Sequence, residues 1–143
     1  MSDAISMEQG DWEELGSEAS EIRRIVFIVE QQVPQEEEWD GRDSFCLHFL
    51  IRRGGRALGT ARLLPDGHLG RVAVLEEGRG LGLGQRLVEA AIEAARAQGH
   101  AHLELAAQLQ AISFYERLGF IAYGDEFLDA GIPHRNMSLP LGD

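Results

Sequence analysis

Residues 78–87 read GRGLGLGQRL. Glycine at this density costs backbone entropy on folding, so a chain that keeps it has a use for it. An apolar segment, LGRVAVL, precedes the glycines, and an alanine-rich helical pattern follows them. Backbone N–H groups converge at such a helix N-terminus, where the helix dipole favours negative charge. Glycine lets that backbone approach a phosphate with no side chain in between. Arg79 and Arg86 flank the loop with no acid between them, although Glu76 and Glu77 lie just before it. The alternative is that Gly78 and Gly80 only make a sharp turn.

Two phosphate motifs are excluded by spacing. A P-loop requires Lys and Ser or Thr after its last glycine, whereas Gln85 and Arg86 follow Gly84. A dinucleotide fingerprint requires G-x-G-x-x-G; counted from Gly78 its last place falls on Leu83, and from Gly80 on Gln85. What remains is R-x-x-G-x-G, Arg79 to Gly84.

The elements around the loop are legible in outline. Residues 17–32 carry Ile22, Ile25, Val26 and Val29 at helical spacing, with Ser17 or Ser20 as a cap, and Pro34 ends the helix. QEEEWDGRD, residues 35–43, reads as an acidic loop. SFCLHFLIRR alternates and predicts a strand, Gly54-Gly55 a hairpin turn, ALGTARLLP the returning strand, and LGRVAVL a third. A helix over about 84–98 closes at Gly99. HAHLELAA is a strand, LQAISFYERLG a short helix, and FIAYG and HRNMSLPL the last two strands. The order is helix, three strands, helix, strand, helix, two strands, which predicts a mixed α/β or α+β domain with helices packed on a sheet.

Composition bounds the function. The chain has 143 residues, enough for one domain with one core, here residues 1–143. It is 44% hydrophobic, and no stretch approaches a membrane span or a secretory signal. One cysteine excludes an internal disulfide framework. A soluble, cytoplasmic protein is expected. The net charge of −11, with no basic patch, argues against nucleic acid and against an anionic membrane surface.

The loop and its flanks, taken with three other segments, resemble the GNAT superfamily of N-acetyltransferases. RVAVLEEGRGLGLGQRLV is similar to that family's central strand, coenzyme A pyrophosphate loop and helix. AISFYERLGF is similar to its second motif. VFIVEQQVPQEEEWDGRD and AGIPHRNMSL are similar to the first helices and the C-terminal strand of a small stand-alone branch. The match runs in order over about residues 20–140. It implies a mostly antiparallel central sheet with a splayed central strand pair, flanked by helices. It also implies acetyl-CoA as donor and an amine, small or peptidic, as acceptor, with no metal and no covalent enzyme intermediate. A homodimer is compatible with it.

The resemblance also suggests roles. Arg79, Gly80, Leu81, Gly82, Leu83 and Gly84 would cradle the pyrophosphate. Exposed backbone of Val72, Ala73 and Val74 would pair with the peptide-like pantetheine arm, and the N–H of Val74 or a near neighbour would stabilise a developing oxyanion. Gln108 stands where the family often has asparagine, which bears on one cofactor contact. Tyr115 falls at the family's catalytic tyrosine and would assist departure of the thiolate; the competing reading makes Phe114 and Tyr115 core aromatics. Glu30, Glu38, Asp40 and His134 are candidates for the base or for binding the acceptor, each with a structural alternative. Residues 36–43 hold five acids and one arginine, which either steer a cationic amine or are a solvated loop. Cys46 is expected to pack in its strand. His100 and His102 lack a third metal ligand, and Trp39 is either a loop anchor or part of an acceptor pocket. Two rival functions stay open: a non-catalytic acyl-CoA sensor, and a module whose acidic face recruits a basic partner.

Overall fold

The computed structural model describes residues 4–142. Seven strands form the sheet: β1 (Ile5–Gly10), β2 (Leu47–Arg53), β3 (Arg56–Leu63), β4 (Leu69–Val74), β5 (His102–Gln108), β6 (Ile121–Asp129) and β7 (Ile132–Pro140). They divide into two antiparallel units, β1-β2-β3-β4 and β5-β7-β6. The units meet only at one end of the central pair. There His68 and Glu104 form an isolated parallel bridge, and the Glu104 N–H donates to the Gly67 carbonyl at 2.9 Å. Beyond that point β4 and β5 share no ladder. The expected mixed α+β fold with a splayed central strand pair is thus present.

Helix α1 (Trp12–Arg23) starts earlier than its apolar spacing suggests. Ser17 and Ser20 do not cap it; both lie inside it. Asp11 does: its side chain accepts from the Glu14 N–H at 2.8 Å, and Glu14 returns the bond to the Asp11 N–H at 3.2 Å. This reciprocal capping box has a D-x-x-E signature that is visible in the sequence. Leu15, Ala19, Ile22 and Val26 turn inward. From Arg24 to Glu30 the helix widens to a π-helix, with the Gln31 N–H donating to the Val26 carbonyl at 3.2 Å. Such widenings recur at functional sites because they re-aim side chains. Residues 35–43 are not a loop throughout: α2 (Gln35–Glu38) is one helical turn, and Asp43–Phe45 is a 3₁₀ turn, so β2 begins only at Leu47.

Helix α3 (Leu83–Ala97) buries Leu83, Leu87, Val88, Ala91, Ala94 and Ala95, the face its spacing predicts. Leu87 and Phe49 are fully buried, and each such side chain contributes about 1.5–3 kcal/mol. Helix α4 (Ile112–Arg117) is short and follows β5 through a 3₁₀ turn.

Candidate active site

The site begins at a fault in β4. Thr60 pairs with Ala73, but Arg62 pairs with Gly70. Arg71 and Val72 therefore stand opposite Ala61 alone, a β-bulge. Arg71 takes φ +53°, a left-handed conformation that costs a non-glycine residue about 1–2 kcal/mol. The bulge bends β4 away from β5. Downstream of it, the Leu75 N–H returns to the Leu58 carbonyl of β3 at 2.8 Å. Alternation from that bond turns the Val74 N–H to the open edge, while Val72, in the bulge, lines the opening itself. Ala73 is directed at β3, so of the three strand residues expected to offer backbone, Val72 and Val74 face the opening and Ala73 does not.

A cleft of about 790 Å³ fills the opening. One wall is β4 with α2 and its following loop; the other is the end of β5, α4 and the start of β7. Val72, Gln108, Tyr115, Glu38, Asp40 and His134 all line it. Glu30 does not. Its carboxylate pairs with Arg79 at 2.6 Å instead, beside the glycine loop.

The loop has the geometry its glycines suggest. Gly80 (φ +81°) and Gly82 (φ +75°) are left-handed, and a Cβ added at either would meet nothing within 4 Å. The glycines are thus needed for conformation, with open space on the outside. Gly82 caps α3 without a side-chain bond, leaving first-turn N–H groups for an anion. Leu81 is exposed, whereas the Leu83 side chain is buried in the core and Gly84 packs near Phe114. Arg79 reaches back, its Nε donating to the Val74 carbonyl at 3.0 Å.

Tyr115 sits edge-on to Phe114 and Phe120, with ring centroids 5.0 and 5.6 Å away. Its hydroxyl makes no hydrogen bond among the described residues, and burial pushes its pKa up to about 12. It is both a packed aromatic and a proton-bearing group aimed at the cleft. Gln108 is held by its neighbours: its Nε2 donates to Gln31 at 2.9 Å, and Gln110 donates to its Oε1 at 2.5 Å. His134 is nearly buried, bonds the Ile132 carbonyl through Nδ1 at 2.6 Å and stacks on Phe127.

The acidic segment is not a free anionic surface. Glu38 is 2% exposed and lies 2.6 Å from Arg23 Nε. Asp43 takes Arg23 Nη1 at 2.7 Å and Arg62 Nη1 at 3.1 Å, and Asp40 takes Arg62 Nη2 at 2.5 Å. Arg71 completes a cluster of three acids and three arginines. Burial pushes Glu38 up, against the pull of Arg71 and Arg23. The Arg62 bond holds Asp40 well below the usual carboxylate range. Asp43 is lowered as well: burial would raise it, but Arg23 and Arg62 outweigh that. Glu36 and Glu37 alone keep the solvated character expected of the run. Trp39 is an anchor: Arg23 lies between it and Trp12, at 5.1 and 5.4 Å. Nothing in the composition of residues 35–43 pairs them with arginines 15 to 34 positions away; the signal that was available is the arginine excess on β3 and β4. Cys46 is buried, donates to the Arg42 carbonyl at 3.2 Å, and has its thiol pushed up by burial, as a packing residue should.

The comparisons agree with this geometry. The model of the Acetyltransferase (GNAT) domain matches residues 16–141. The Bacillus subtilis protein YjcF, named an uncharacterized N-acetyltransferase, is 38% identical over 129 residues, covering 87% of this chain and 92% of its own. An acyl-CoA N-acyltransferase from Pseudomonas aeruginosa superposes with a TM-score of 0.86 at 31% identity, over 95% of this chain and 99% of that one. Escherichia coli ElaA does so with a TM-score of 0.85 at 28% identity, over the same shares. With its splayed central strands and its glycine loop at the head of α3, the chain belongs to the GNAT family of N-acetyltransferases, enzymes of acyl transfer.

Proposed function

We propose that the protein moves an acetyl group from acetyl-CoA to a primary amine by direct attack in a ternary complex, as a single domain. The observation that carries this reading is the opening between β4 and β5, with the left-handed glycines following the end of β4 at the head of α3. The open cradle at Gly80 and Gly82 fits a pyrophosphate, and the free edge at Val72 and Val74 fits a peptide-like arm. Acetyl-CoA supplies the activated acyl group as a thioester. The Val74 N–H faces the cleft and donates to the acyl oxygen as that oxygen gains charge; one such donor is worth about 3 kcal/mol in the transition state.

Tyr115 stabilises the departing sulfur. A free thiol has a pKa near 8.5, and Tyr115 is at about 12. Complete proton transfer before the bond breaks is therefore uphill, so the hydroxyl acts as a hydrogen-bond donor that keeps its own proton early in the step. Asp40 and Glu38 are engaged by arginines and Glu30 lies outside the cleft, so of the four residues expected from the sequence His134 is the candidate for taking the amine proton, directly or through water.

The test is thiol release from acetyl-CoA with a library of amines. Intersecting initial-velocity patterns are expected; parallel patterns would exclude the ternary complex, and no release with any amine would leave only a binding module. Two variants probe the cradle. Gly82→Asn keeps a residue that tolerates left-handed backbone and adds a side chain on the open side, so calorimetry should show coenzyme A affinity at least about tenfold weaker. Unchanged affinity would remove the loop from the site. Glu30→Gln frees Arg79 beside the same loop. The pair is partly exposed and worth at most about 1 kcal/mol, so coenzyme A should bind up to about fivefold tighter, and less so in high salt. Weaker binding would contradict the assignment of Arg79.

A further inference from the structure

We propose that the acceptor amine carries an anionic oxygen group, a carboxylate or a phosphate, and that Arg71 and Arg42 select it. This rests on the N-acetyltransferase reading above and adds the substrate class.

The arginines of the cluster are used unequally. Arg23 is saturated by short bonds to Glu38 and Asp43. Arg62 is engaged through both terminal nitrogens by Asp40 and Asp43 at 2.5–3.1 Å, although its buried Nε, like that of Arg71, makes no hydrogen bond. Between them, these two satisfy all three carboxylates. Arg71 is different. Its Nη2 donates to the Glu38 carbonyl at 3.1 Å and, at longer range, to the Glu37 carbonyl at 3.3 Å and Asp40 at 3.4 Å, so its bonds go mainly to backbone. Its Nε is buried and lies 3.2 Å from Glu38 Oε1 without the alignment of a hydrogen bond. Its Nη1 has no partner among the described residues. A guanidinium offers five donors in a planar fork suited to carboxylate and phosphate, and here much of that fork is uncommitted.

The backbone points the same way. Arg71 occupies a left-handed bulge position where glycine would be unstrained. The chain keeps a long cationic side chain there, and that side chain lines the cleft. Arg42, on the loop after α2, lines the same cleft; it is exposed and its guanidinium meets no acid among the described residues. With three acids against Arg23, Arg62 and Arg71, the cluster is balanced, and on the same wall Arg42 stands against Glu37, so the wall carries no net charge. What suits an anion here is the unpaired Arg42 guanidinium together with the open part of the Arg71 fork. The acceptor is therefore held by its anionic end on the β4 and α2 side, with its amine toward Val74 and Tyr115.

The experiment uses the whole protein and matched amines: glycine, β-alanine and 4-aminobutyrate, each against its carboxamide, and phosphoethanolamine against ethanolamine. Acetyl transfer is followed by thiol release, and binding of the same amines to the coenzyme A-loaded protein by calorimetry. In at least one pair the anionic member should be favoured at least tenfold in kcat/KM. Arg71→Gly, which relieves the left-handed strain and so preserves the bulge, and Arg42→Gln, at an exposed position, should each shrink that ratio several-fold through KM. Preference confined to phosphoethanolamine identifies phosphate; preference in the amino acid pairs identifies carboxylate. Neutral members equal to or better than anionic ones in every pair, or a preference that neither substitution reduces, would overturn the proposal. If thiol release fails with every amine while calorimetry still ranks the anionic members first and the variants erase that ranking, the anion site stands and the transferase reading falls.

Discussion

Tyr115→Phe should lower the rate at saturating substrates by about 10²-fold or more, the usual contribution of a positioned proton donor, while coenzyme A affinity stays within a factor of two or so of the parent. The substitution keeps the ring and its edge-on contacts with Phe114 and Phe120, so stability should hardly change. It removes only a hydroxyl that has no partner within the described protein. The pH dependence sharpens the test. Burial raises this phenol to about 12, so it stays protonated throughout the neutral and mildly alkaline range. Any fall in kcat between pH 8 and 10 must then come from another group, and it should persist in the variant. Turnover equal to the parent, with chemistry shown to be rate-limiting, would make Tyr115 a core aromatic and nothing more.

Arg23→Ala should cost about 3–5 kcal/mol of stability, the range for breaking a buried ion pair from one side. That is a large part of the 5–15 kcal/mol available to a domain. The loss is severe because Glu38 and Asp43 remain behind in a site where Arg23 is 1% exposed. The pH dependence has a definite sign. In the parent, Asp40 and Asp43 are lowered in the fold, so their contribution is present above their unfolded pKa, near 4, and is lost as the pH falls below it. Glu38 is raised by burial, which works in the opposite direction. Removing Arg23 withdraws a lowering influence from both Glu38 and Asp43. Their folded pKa values then rise, and folding of the variant is opposed more strongly as the pH climbs. Denaturant unfolding should therefore show a smaller gap between parent and variant at pH 4 than at pH 7. A cost below about 1 kcal/mol at pH 7, or a gap that narrows with rising pH, would show that the cluster does not organise this wall.

These expectations differ in where they come from. Tyr115 and the glycine loop were legible because their information is local. A left-handed turn demands glycine wherever it occurs, a helix N-terminus presents its N–H groups whatever packs behind it, and a fixed spacing places a tyrosine on the helix after β5. Helix α3 and strands β2 to β5 follow from apolar periodicity for the same reason. β1 has no such local signal, because half of its six residues are polar and they form a strand by pairing with β2. Apolar spacing alone does not mark the start of α1, which is set by the Asp11 cap.

What the sequence by itself determined was most of the elements and their order, the glycine turn at the head of α3 and, through these, the family. What only the tertiary structure decided was the meaning of the charges. Five acids in eight residues look like a repelling, solvated run until β3 and β4 bring Arg62 and Arg71 beside them and α1 brings Arg23. Likewise Glu30 is tied to Arg79, 49 residues away, and not to the cleft. Apolar burial and turn geometry are properties of neighbouring residues, whereas an ion pair depends on where two distant segments are brought together. Which charges of the acceptor wall are paired and which stay open is therefore a property of the fold and not of any stretch of the chain.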